Sequence, residues 1–154
     1  MRAILIDPEK ETVAEIQLGL DSYRDIQRVL ACETFTTGAF LGGTIEDGFD
    51  AIYVSDDVLD ERDNPRFWFQ VDADRNPPSS FPIAGFGLAL GTNSEGESCD
   101  LRISVGDLAK RITFTRRKFR GFKVETFDRK EGEDPLLPDI QISPVAPIID
   151  DKSD

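Results

Sequence analysis

The chain opens on a short apolar run, Ala3 to Ile6, then Asp7-Pro8-Glu9-Lys10 with turn chemistry, then Val13, Ile16 and Leu18. Two short apolar stretches around a polar turn predict a β-hairpin. Tyr23, Ile26, Val29 and Leu30 follow at helical spacing, and Ser22 with Asp25 three residues on resembles a capping box, which predicts a helix here. Gly38, Gly42 and Gly43 then break up the apolar stretch around Phe40 and Leu41, which predicts strand and loop. Phe49 to Val54 reads as a strand and Ser55 to Pro65 as an acidic loop.

The aromatic run Phe67-Trp68-Phe69, within Arg66 to Val71, predicts a buried strand. Asp72 to Pro82 is a polar loop with three prolines. Ile83 to Leu90 predicts an apolar strand in which Gly85 and Gly87 mark a bulge or a close backbone approach. Leu101 to Val105 predicts a further strand, and Ser104 with Asp107 caps a short helix through Ile112. The alternation of Ile112 and Phe114, then Phe122 and Val124, predicts a two-stranded element turning near Arg117-Lys118. From Glu131 on, four prolines and seven acids argue against packed structure, although Leu136, Leu137, Ile140 and Ile142 set the segment apart from a plain linker. The expected fold class is α+β: a mostly antiparallel sheet with one or two short helices and a flexible acidic C-terminal tail. One domain is expected over 1–130 and the tail over 131–154.

Composition supports a single domain that buries a core without staples: 154 residues, 39% apolar, with eleven Phe. No apolar run is long enough to span a membrane, and the first apolar stretch is too short for a signal peptide. Cys32 and Cys99 form no CxxC pair and are too few for a disulfide framework, so reduced thiols and a cytoplasmic location are expected.

Charge changes the picture most. Residues 1–109 carry 21 acids and 8 bases, residues 110–130 carry 9 bases and 2 acids, and residues 131–154 carry 7 acids and one lysine. Half of all Lys and Arg therefore sit in the basic segment 110–130, inside a chain of net charge −12.

Much chemistry is excluded. With no histidine, histidine-based triads and the commonest zinc ligand are gone. Asp72-Ala73-Asp74-Arg75-Asn76 copies the start of a calcium loop, but Pro77 stands where the turn needs glycine and Ile83 where the loop needs a bidentate Glu, so an Asx-rich turn is expected. Gly85-Phe86-Gly87 lacks the third glycine of a dinucleotide fingerprint and opens no helix, and no P-loop lysine occurs. No cofactor, no metal and no catalytic residue is expected.

Two charged constellations remain. Glu46, Asp47, Asp50, Asp56, Asp57, Asp60, Glu61 and Asp63 form a candidate acidic surface for a basic protein partner, on the same electrostatic footing as steering between oppositely charged surfaces. Arg116, Arg117, Lys118, Arg120 and Lys123, interleaved with phenylalanines, suit single-stranded nucleic acid, with the acidic tail screening them as an autoinhibitor. A third expectation is a small-ligand pocket near Phe86, Trp68 and the glycine-rich strand.

The opening hairpin through Pro8 and Leu18, the helix at Ser22 to Leu30, Asp60 to Asn64-Pro65-Arg66 and the strand Ile83 to Gly91 resemble a family of small phage- and plasmid-encoded proteins of unknown function. The resemblance covers residues 1–105. It supplies no activity or site residues, and it implies an accessory role for a mobile element, including interference with host defence. The leading expectation is a non-enzymatic interaction protein of that kind.

Overall fold

The computed structural model describes residues 1–19, 21–56, 67–76, 78–116, 118–121 and 148–150, the last two stretches by their backbone. The first hairpin forms as its pattern requires: β1 (Arg2–Asp7) pairs antiparallel with β2 (Thr12–Gln17), Leu5 opposite Ala14. Asp7 closes the turn. Its Oδ1 accepts the amides of Glu9 and Lys10, both at 3.1 Å, and this local bonding lets an acid sit 95% buried.

Helix α1 (Ser22–Leu30) begins one residue earlier than the capping-box pattern implies. Asp21 is the N-cap, accepting the Arg24 amide at 3.4 Å, while Asp25 turns back to the Gly19 amide at 2.7 Å and pairs with Arg28 at 2.6 Å. The chain leaves the helix through Ala31 in the left-handed region. Next, β3 (Phe35–Thr44) and β4 (Gly48–Ser55) form one long hairpin. The glycines of β3 do not break it into loop. They coincide with two register shifts, one at Gly38 and one before Gly42, that bend an edge strand.

The aromatic run becomes β5 (Phe67–Val71), with Trp68 and Phe69 almost wholly buried. Ile83 to Leu90, expected as one strand, is two: β6 (Ile83–Ala84), beside β5, and β7 (Gly87–Thr92), in the main sheet. The chain crosses between sheets at Gly85, whose φ of +74° is costly for any residue with a side chain. After β8 (Ser98–Cys99) the expected strand over Leu101 to Val105 is absent. The amides of Arg102 and Ile103 donate to the Asp50 carboxylate, and that of Leu101 to the Arg2 carbonyl, so no ladder is made. Helix α2 (Val105–Arg111) is capped by Ser104 as its sequence indicates. It runs into β9 (Ile112–Arg116), and β10 (Lys118–Gly121) follows. Among the described residues β9 pairs with β5, and β10 pairs with β11 (Ile148–Asp150), a strand within the segment expected to be unstructured; Phe122 and Val124, expected on a strand beside Ile112 and Phe114, lie outside the described residues.

The main sheet runs β2-β1-β7-β4-β3, with β8 appended to β7, all antiparallel. Helix α1 covers one face through Ile26 and Leu30 against Ala3, Leu88 and Leu90. The sheet β6-β5-β9 and α2 cover the other, through Phe69, Val71 and Leu108 against Ile4, Ile6 and Ile52. With both faces covered, β7 is buried at every position, a pattern its period alone could not assign to one face. The α+β expectation with a mostly antiparallel sheet holds.

Candidate functional site

Of the acids expected to form one surface, the four that lie among the described residues are spread along the hairpin that carries them. Glu46 and Asp47 occupy the β3–β4 turn and are exposed, with Asp47 closing that turn through Thr44 Oγ1. Asp56 is exposed just past the far end of β4, about 30 Å along an extended strand from Asp47. Between them Asp50 is only 6% exposed and serves the interior. Its Oδ2 accepts the Arg102 and Ile103 amides at 3.1 and 3.0 Å, and its buried Oδ1 has no partner among the described residues. A carboxylate so enclosed cannot meet a partner's surface, which removes Asp50 from the candidate set. Asp57, Asp60, Glu61 and Asp63 lie outside the described residues.

A different acidic group is assembled by topology. Antiparallel pairing of Phe49 with Thr92 puts the β3–β4 turn and the β7–β8 turn at the same end of the sheet. Glu46 and Asp47 thus share that end with Glu95 and Glu97, all exposed. Asp100 joins them, held by the Arg2 amide on its Oδ1 at 2.7 Å. The guanidinium groups there point to carbonyls: Arg102 to those of Asp47 and Gly48, Arg2 to those of Leu101 and Ile103. Arg2 also pairs with Glu15 at 2.8 Å.

Beside this end, a cleft of about 750 Å³ opens between α1 and the β8 segment. Its lining includes Tyr23 and Ile26 from α1, Phe35 and Tyr53 from the sheet, and Glu97 and Asp100 at the β8 side. The aromatic rings form a row: Tyr23 and Phe35 have centroids 5.0 Å apart, tilted by 46°, and Phe35 and Tyr53 stand edge to face at 5.9 Å. Tyr53 is fixed from below by a 2.9 Å hydrogen bond between its hydroxyl and Thr92 Oγ1. Tyr23 is 57% exposed, a large aromatic surface left open to solvent. Neither Trp68 nor Phe86, expected beside a small-ligand pocket, lines this cleft, and Trp68 is only 1% exposed.

Most of the basic segment is tied down where it is described. Arg111 pairs with Asp72 at 2.7 Å, Lys110 with Asp107 at 3.2 Å, and Arg116 with Glu11 at 3.6 Å while lying 5.7 Å over the Phe67 ring. Arg117 and Lys123 lie outside the described residues; Lys118 and Arg120 are placed on β10 by their backbone. The Asp72 turn is closed by the Arg75 amide donating to the Asp72 carbonyl at 3.0 Å, and its carboxylate is locked in an ion pair. Arg111, with help from the Ser79 hydroxyl, holds its carboxyl down at about 2 against the cost of burial. Among the described residues no cluster of side chains is arranged to hold a metal, and no helix is long and apolar enough to cross a membrane.

Sequence reading missed Glu95, Glu97, Asp100, Tyr23, Phe35 and Tyr53 as a group. They are spread over the β7–β8 turn, the residue after β8, α1, β3 and β4, and only the pairing of the strands and the docking of α1 bring them together. Compared with family models, curated proteins and solved structures, the chain finds no match.

Proposed function

We propose that the protein is a non-enzymatic interaction module that engages a basic protein partner at the carboxylate-bearing end of its main sheet. The observation that carries this reading is the convergence of Glu46 and Asp47 with Glu95 and Glu97 from two adjacent turns. Exposed carboxylates on turns draw a cationic surface by long-range attraction and set its register on arrival. The accessory role in a phage or plasmid implied by the family resemblance belongs to the same reading, since a small acidic protein of this kind acts by occupying a basic surface.

Binding of an oligolysine peptide, followed by calorimetry at low salt, tests it. The triple variant Glu46→Gln, Asp47→Asn, Glu95→Gln loses three exposed pairings of roughly 0.5 kcal/mol each, so affinity falls about tenfold. Asp56→Asn, at the far end of β4, leaves affinity unchanged. A loss at Asp56→Asn of about a third of the triple variant's, in free energy, would mean that total charge, and not this end of the sheet, captures the peptide.

A second reading is favoured by one observation, the antiparallel pairing of β10 with β11. It takes the basic segment as a nucleic-acid-binding strand and the acidic tail as its autoinhibitor. Lys118 stands opposite Asp150 and Phe119 opposite Ile149 in the register.

A further inference from the structure

We infer that the cleft between α1 and β8 receives an arginine side chain of the basic partner, an inference that rests on the interaction reading above. The row of Tyr23, Phe35 and Tyr53 offers ring faces and edges in alternation, and a guanidinium is the cation best matched to such a row because it is planar and stacks. Glu97 and Asp100 stand at the β8 side of the same cleft and supply the countercharge. Both carboxylates are exposed, Asp100 accepting the Arg2 amide and Glu97 the Asn93 side-chain amide, and an arginine can meet both walls at once: its plane against the rings, its N–H groups toward the remaining oxygen lone pairs. Met1 also lines the cleft, and its ammonium donates a 2.8 Å hydrogen bond to the Leu18 carbonyl. The volume of about 750 Å³ exceeds one side chain and leaves room for the backbone that carries it.

Two features make the site usable. Tyr53 is anchored by Thr92, so the floor is set before anything binds, and α1 is fixed at its start by the Asp21 cap and the tie from the Gly19 amide to Asp25. Tyr23, more than half exposed, is the ring that a stacked guanidinium would cover.

The test is a titration of the ¹⁵N-labelled full chain with Nα-acetylarginine amide and, in parallel, with its neutral isostere Nα-acetylcitrulline amide. The arginine derivative shifts the amide resonances of Gly19, Tyr23, Tyr53, Ser98 and Cys99 and leaves those of Trp68 and Gln70 on β5 in place. The citrulline derivative binds at least about fivefold more weakly, as loss of the cation–π and charge contributions requires. Tyr23→Leu and Glu97→Gln each weaken the arginine derivative about threefold. Both positions are exposed, and an unchanged melting temperature confirms that the fold is intact. Equal binding of the two derivatives, or no shift at the cleft, overturns the inference. Loss of oligolysine capture in the turn variant with no arginine binding in the cleft removes the inference and keeps the interaction reading. Arginine binding in the cleft with capture indifferent to the turn variant removes that reading and leaves a guanidinium site.

Discussion

Asp72 illustrates how far a residue's sequence context can mislead. Next to Asp74 and Asn76 it suggests a cation loop, yet its carboxylate is 8% exposed and gripped by Arg111 from the end of α2, 39 residues away. Only the calcium-loop mismatches at Pro77 and Ile83 were legible; the true partner was not, because nothing local encodes it. The linkage has a definite sign. The folded-state pKa of about 2 lies below the ordinary value of 3.8, so the stabilisation is complete above about pH 4 and drains away as pH falls toward 2. Its size follows from the shift, roughly 2 kcal/mol at neutral pH. Asp72→Asn is the informative variant. Asp72 has a φ of 48°, and Asn tolerates that left-handed conformation, so the change removes charge without adding backbone strain. Denaturant titrations are expected to show the variant about 2 kcal/mol less stable at pH 7, with the difference reduced to about 0.4 kcal/mol at pH 2 and lost below it. A constant difference at both pH values would locate the loss in packing instead.

At the level of elements, the local signals were sound where one strand or helix decided its own fate, as in the β1–β2 hairpin, α1 and the Ser104-capped α2. They were weakest where a partner decides. The stretch Leu101 to Ile103 has strand composition, but the Asp50 carboxylate takes its amides. The Gly85-Phe86-Gly87 stretch was read as a bulge or close approach and proves to be both a crossing between sheets and a contact. A Cβ on Gly87 would lie 2.5 Å from Phe69 Cζ and 3.1 Å from Ile52 Cγ2. Phe69 is wholly buried in the facing sheet, so its ring has nowhere to go. Gly87→Ala is therefore expected to cost about 2 kcal/mol, a drop of roughly 6 °C in Tm. Gly106→Ala in α2 is its counterpart: a Cβ there meets nothing within 4 Å, and helix propensity raises stability by about 0.5 kcal/mol. Calorimetric melting of the two variants separates the glycine needed for space from the one that is merely permitted.

Over the whole molecule, charge segregation was the clearest feature of the sequence, and its spatial meaning was the least legible. Linear clustering pointed to one acidic face between residues 46 and 63, of which Glu46, Asp47, Asp50 and Asp56 lie among the described residues. The fold instead separates Asp47 from Asp56 along a full strand and gathers Glu46 and Asp47 with Glu95 and Glu97. The basic segment shows the same lesson from the other side. Of its cations, Lys110, Arg111 and Arg116 have carboxylate neighbours, and its strand β10 is paired by β11 from the acidic tail. Pairing with β11 occupies one hydrogen-bonding edge of β10 and sets Asp150 opposite Lys118 in the register, which is the ground of the proposal that the tail restrains the basic segment. Ending the chain at Lys130 removes seven acids and one lysine together with β11. Fluorescence anisotropy of a labelled single-stranded oligonucleotide, in a salt series, is expected to show the shortened chain binding about tenfold more tightly than the full chain at low salt. The advantage must shrink as salt rises, because counterion release is its source. If neither form binds, the basic segment has a structural role, and the proposed capture of a basic protein at the carboxylate-bearing end of the sheet is the reading that stands.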